Sequence, residues 1–81
     1  MNNTGVISME HYDSGEENGI KWFVDLNPSK GEWTVTVTND VETKTESFHW
    51  TFEPRFGIDV LDANQIESIL DKFINELSNN E

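Results

Sequence analysis

Acid–base or metal chemistry in this chain would have to run through two histidines, His11 and His49, or through its carboxylates, because it contains no cysteine. Neither histidine belongs to an H-E-x-x-H helix or an H-x3-H pattern, the spacings that bring two imidazoles to one ion. His49 falls on the strand face opposite Phe48 and Trp50, where a half-exposed surface imidazole is the ordinary reading, and His11 is read the same way. A nucleophilic serine would need a sharp strand-to-helix elbow of the G-x-S-x-G type, which this sequence does not contain. The acidic stretch from Asp13 to Asn18 invites a calcium loop, but that loop needs oxygen ligands at alternate positions. Counting from Asp13, those positions hold Gly15, Glu17 and Gly19, so a solvated loop is expected instead. The five glycines make no phosphate cradle, since Gly15 and Gly19 do not lead from a strand into a helix. No catalytic residue, metal site or cofactor is therefore expected, and the chain is read as a binding protein, not an enzyme. A small enzyme using carboxylate or histidine chemistry is the remaining alternative.

Charge is the one extreme property. Sixteen Asp and Glu oppose five Lys and Arg, giving −11 in 81 residues. Direct binding of nucleic acid is disfavoured, because phosphates are held by cationic side chains. Anionic membrane surfaces are disfavoured for the same reason. A basic protein surface is the natural complement, approached under long-range attraction, although net charge can also serve solubility alone. The excess is uneven: residues 1–19 carry −4, residues 20–57 carry −2 and residues 58–81 carry −5. The residues singled out for partner binding are therefore Glu10, Asp13, Glu16 and Glu17 near the N-terminus and Glu67, Asp71 and Glu76 on the last element. Phe23 joins them as an apolar contact, beside Tyr12 on the polar face of the sheet.

The elements that must position these residues follow from hydrophobic periodicity. Val6–Tyr12 has an impure alternation that allows a short strand, and Asp13–Gly19 reads as a loop. Ile20–Leu26 alternates with Ile20, Trp22, Val24 and Leu26 on one face. After a turn at Asn27–Gly31, Glu32–Thr38 puts Trp33, Val35 and Val37 inward and a run of threonines outward, where β-branched hydroxyl residues are at home. A second turn at Asn39–Thr43 leads to a strand over Lys44–Phe52 with Phe48, Trp50 and Phe52 on one side. Pro54 ends the sheet. Asp62 has the type of an N-cap, Leu61 and Ile66 the spacing of a hydrophobic staple, and Gln65 the third position of a capping box. Ile66, Ile69, Leu70, Phe73, Ile74 and Leu77 then form one stripe of a helix ending near Ser78.

An apolar sheet face and an apolar helix stripe must cover one another. The predicted fold class is α+β: a three- or four-stranded antiparallel meander with one C-terminal helix across one face, as a single small domain over residues 1–81. Residues 1–5 and 79–81 are expected to fray. The chain starts without a basic and apolar leader, and its longest apolar run is three residues, Trp22–Val24, so a cytoplasmic location is expected.

On the predicted helix, Glu67 and Asp71 form a like-charge pair four residues apart, which costs about 0.2–0.5 kcal/mol. Glu76 lies near the helix C-terminus, where the macrodipole disfavours an anion. Carboxylates so placed repeat at about 5–6 Å, an interval close to that between phosphates along a nucleic-acid strand. In size and charge such a chain is similar to the DNA-mimicking anti-restriction and anti-CRISPR proteins of phages. That likeness implies a partner with a basic surface, a nucleic-acid-binding protein or nuclease among the options. The alternative is an interaction or immunity-type module that buries an apolar patch, Phe23 with Tyr12 or the Arg55-Phe56 loop. A free sheet edge could also serve, pairing with a partner or with a second copy as a homodimer.

Overall fold

The alternating segments pair as neighbours in sequence order. The computed structural model describes residues 10–54 and 57–78. Strands β1 (Glu10–Glu17), β2 (Ile20–Asn27), β3 (Glu32–Thr38) and β4 (Thr43–His49) form one antiparallel sheet in the order β1-β2-β3-β4, and helix α1 (Val60–Ser78) packs on it. Trp33, Val35 and Val37 of β3 are fully buried, and Ile20 and Val24 of β2 join them from the next strand. From α1, the buried residues Ile66, Ile69, Phe73 and Leu77 cover this row. Trp22, Leu26, Phe48, Trp50, Ile58, Leu70 and Ile74 pack around the centre while staying partly exposed. The helix lies over β3 and β2, the two inner strands.

Four expectations change. The stretch Asp13–Glu17 is strand rather than loop, and the reversal is confined to Asn18 and Gly19. Both residues have positive φ, 55° and 81°, as a two-residue hairpin turn demands. Of the Val6–Tyr12 strand, Glu10–Tyr12 belongs to β1; Val6–Met9 and both expected frayed ends lie outside the described residues.

The register of β1 shifts between His11 and Asp13, so that Tyr12 is an extra residue in the ladder. The bulge turns Tyr12 toward the helix side, where its ring meets Trp33 edge-on at a centroid distance of 5.0 Å. Phe23 points the other way, in register with Thr36 and Ser14. The expected Phe23–Tyr12 patch is therefore split between two faces.

The last strand ends at His49, three residues short of the expected Phe52. Trp50 N–H still donates to the Gly31 carbonyl at 3.0 Å, and then the chain leaves the sheet. Thr51 is drawn to α1 instead, donating its N–H and its hydroxyl to the Asp62 carboxylate at 3.1 Å and 2.8 Å. Phe52, expected in the core, is left 64% exposed.

That carboxylate is the fourth change. The helix begins two residues before Asp62, and its N-cap is Asp59, whose Oδ2 accepts the Leu61 N–H at 2.9 Å. The first helical backbone bond runs from Ala63 N–H to the Asp59 carbonyl. Asp62 is 1% exposed and turns into the core, where Oδ2 also accepts the Trp33 indole N–H at 3.1 Å. Leu61 is exposed and staples nothing.

Candidate functional site

Helix α1 spans less of the sheet than the four strands do, and the uncovered part lies beside β1. Apart from the bulged Tyr12, the residues of β1 that face the helix side are those in register with Ile20, Trp22, Val24 and Leu26, namely Glu17, Gly15, Asp13 and Glu10. None of these four is apolar, and no residue of β1 belongs to the buried core. Trp22 compensates by leaning its indole over Gly15, so closely that a Cβ there would lie 2.3 Å from the ring. Between β1 and the near flank of α1 runs a groove. One part, of about 300 Å³, has Tyr12, Trp22, Ile66 and Leu70 along its floor and Asp13 and Glu67 at its edges. The other, of about 180 Å³, lies between Glu17 and Ile74 and ends at Ser78. Among the described residues no Lys or Arg lines either part.

The eight predicted partner-binding residues thus divide into groups. Asp13, Glu17 and Glu67 border the groove. Asp71, exposed and one turn beyond Glu67, extends that acidic edge on the solvent side. Glu10 borders a separate hollow with Leu26, Pro28 and Trp50. Glu16 and Phe23 lie on the opposite, open face of the sheet, Glu16 in register with Lys21. Arg55 and Phe56 lie outside the described residues.

Glu76 belongs to the far flank of α1. There Lys44 of β4 reaches it at 3.4 Å and also meets Glu42 at 3.3 Å. These two carboxylates hold the Lys44 ammonium above its ordinary value of 10.5, first through the hydrogen bond to Glu42 and then through that to Glu76. Lys72 bridges to Glu46 of β4 at 3.1 Å. The position of Glu76, unexplained by the helix alone, is thus explained by the strand opposite. On the β4 flank Lys44 and Lys72 pair with Glu42, Glu76 and Glu46, whereas Glu17, Glu67 and Asp71 have no ion pair among the described residues.

The open face carries a different chemistry. Thr34, Thr36 and Thr38 of β3 stand in register with Ser47, Thr45 and Thr43 of β4. The hydroxyls pair with one another, Thr34 with Ser47 at 2.9 Å and Thr38 with Thr43 at 2.8 Å. His49 lies 3.4 Å from Glu32, and His11 Nδ1 lies 3.6 Å from Asp25. His11 Nε2 in turn faces the Ser14 hydroxyl at 3.5 Å. This is the order of a serine–histidine–carboxylate relay, which the loop reading of Asp13–Gly19 concealed. Its geometry is not that of a working relay, since such groups meet at about 2.6–3.2 Å. Moreover the Ser14 N–H, the nearest oxyanion donor, is taken by Asp13 Oδ1 at 2.9 Å.

Among the described residues no cluster of His, Asp and Glu has the form of a metal site, and no helix is long and apolar enough to cross a membrane. Comparison of the chain with protein-family models, with curated proteins and with solved structures finds no match.

Proposed function

We propose that this chain is a small acidic binding protein that docks on a basic protein surface and acts by occupying it. The observation that carries the reading is the asymmetry of charge across α1. Carboxylates on the β4 flank are cross-linked to lysines. Those beside β1 border a partly apolar groove that no Lys or Arg lines among the described residues. Unpaired carboxylates at the edge of exposed apolar surface repel one another, so folding stability does not favour their placement. A cationic partner would relieve that repulsion and bury the apolar floor in the same step.

In this reading the natural targets are surfaces already built to hold a polyanion, including those of nucleases and other nucleic-acid-binding proteins. Glu67 and Asp71 supply a short row of negative charge at about 5–6 Å spacing, and Glu76 is withdrawn from that row by Lys44. The imitation of a phosphate strand is therefore carried by the β1 edge and the helix together, not by the helix alone.

Affinity capture from the native host tests this. At low ionic strength the retained proteins should be basic and nucleic-acid-binding. DNA or RNA should displace them, and so should about 1 M salt, where the Debye length falls to about 3 Å. Neutral partners retained equally at both ionic strengths would contradict the proposal.

A further inference from the structure

Resting on that reading, we infer that the groove between β1 and α1 receives a basic amphipathic helix of the partner, laid beside α1 as a second helix on the sheet. The inference begins with widths. Strands lie about 4.8 Å apart, so four of them span about 14 Å, whereas a helix with its side chains is about 10 Å across. One helix seated over β3 and β2 leaves β1 bare on that side. Helices packed side by side stand 8–10 Å apart, or about two strand spacings, and a second helix at that distance lies over β1.

The lining fits such an occupant. Tyr12, Trp22, Leu70 and Ile74 are all partly exposed and together offer an apolar floor. The two hollows, which share Trp22, together extend along α1 from Ala63 to Ser78, about 22 Å at 1.5 Å per residue. That is the length of four helical turns. Asp13, Glu17 and Glu67 at its borders would meet lysines or arginines flanking the apolar stripe of the incoming helix. Charge also disfavours a second copy as the occupant. It brings sixteen acids and only five cations to an edge that is already acidic.

Two synthetic peptides of 16 residues and identical Lys/Leu composition test the inference, one with leucines in a helical stripe and one scrambled. Binding to the full chain is followed by NMR, with the Trp22 indole N–H as reporter. The striped peptide should bind at least tenfold more tightly and shift the Trp22 signal. Tyr12→Ser and Ala63→Gln should each remove that preference, the second by filling the groove without taking away a core side chain; retained near-UV circular dichroism shows that each folds. Equal, salt-sensitive binding of both peptides would overturn the groove while leaving the basic-partner reading intact. Failure of both peptides to bind would overturn that reading too. A peptide-free chain that dimerises through Tyr12 and Leu70 would assign the groove to a second copy and overturn the inference.

Discussion

Asp62 is a buried carboxyl with no salt-bridge partner among the described residues; the Trp33 indole and the N–H and hydroxyl of Thr51 donate to it. Removing it strands donors in the core, so Asp62→Ala should cost about 3 kcal/mol, read as a lower urea midpoint with an unchanged slope. Asp62→Asn, which keeps one acceptor oxygen, should cost less than Asp62→Ala. Sequence pattern did not separate Asp59 from Asp62 as helix cap, because both are good capping residues three apart. The choice is made by Trp33, 29 residues away in sequence, whose indole N–H needs an acceptor once buried. Gly15 is a second case of distant control. Nothing in its neighbours announces that Trp22 will cover it. Gly15→Ala should displace the indole, shift its fluorescence and destabilise the fold by about 1–3 kcal/mol, the usual cost of overpacking.

At the scale of elements, β2, β3 and α1 were legible because each carries an apolar face with a clean period, and those faces meet in the core. Strand β1 was not, since apart from the bulged Tyr12 its helix-facing positions are Glu10, Asp13, Gly15 and Glu17. A strand that α1 does not cover has no need of apolar alternation, so the usual signal is missing. The Asn18-Gly19 pair did mark a hairpin, and the polar residues around it obscured that mark. Gly19→Ala should therefore cost about 1–2 kcal/mol, the penalty of an L side chain at positive φ. The joint between β4 and α1 depends on charge and makes a pH prediction. Because Lys44 is held above 10.5 in the folded chain, its contribution to stability is present below that pH and fades as pH rises through the folded value. A denaturation series in alkali should show wild type losing its margin over Lys44→Met above pH 10.5.

Across the whole molecule the same asymmetry connects fold and function. One flank of α1 is tied to β4 by Lys44 and Lys72. The other faces a groove whose carboxylates have no ion pair among the described residues. Composition alone located the acid-rich ends of the chain, residues 1–19 and 58–81. That they adjoin across one groove depends on β1 pairing beside β2 while α1 returns over the same face. The separation of Phe23 from Tyr12, and of Glu76 from Glu67, has the same origin in register and helix phase. The most direct measurement is the salt dependence of affinity for a captured basic partner, compared between two variants of equal net charge. Asp13→Lys with Glu67→Lys reverses charge at the groove, and Glu16→Lys with Asp40→Lys reverses it elsewhere on the exposed surface. The groove variant should bind roughly tenfold or more weakly than the other, a difference of about 1.4 kcal/mol or more, and show the shallower dependence on salt. Equal losses in the two variants would contradict the assignment of binding to the groove.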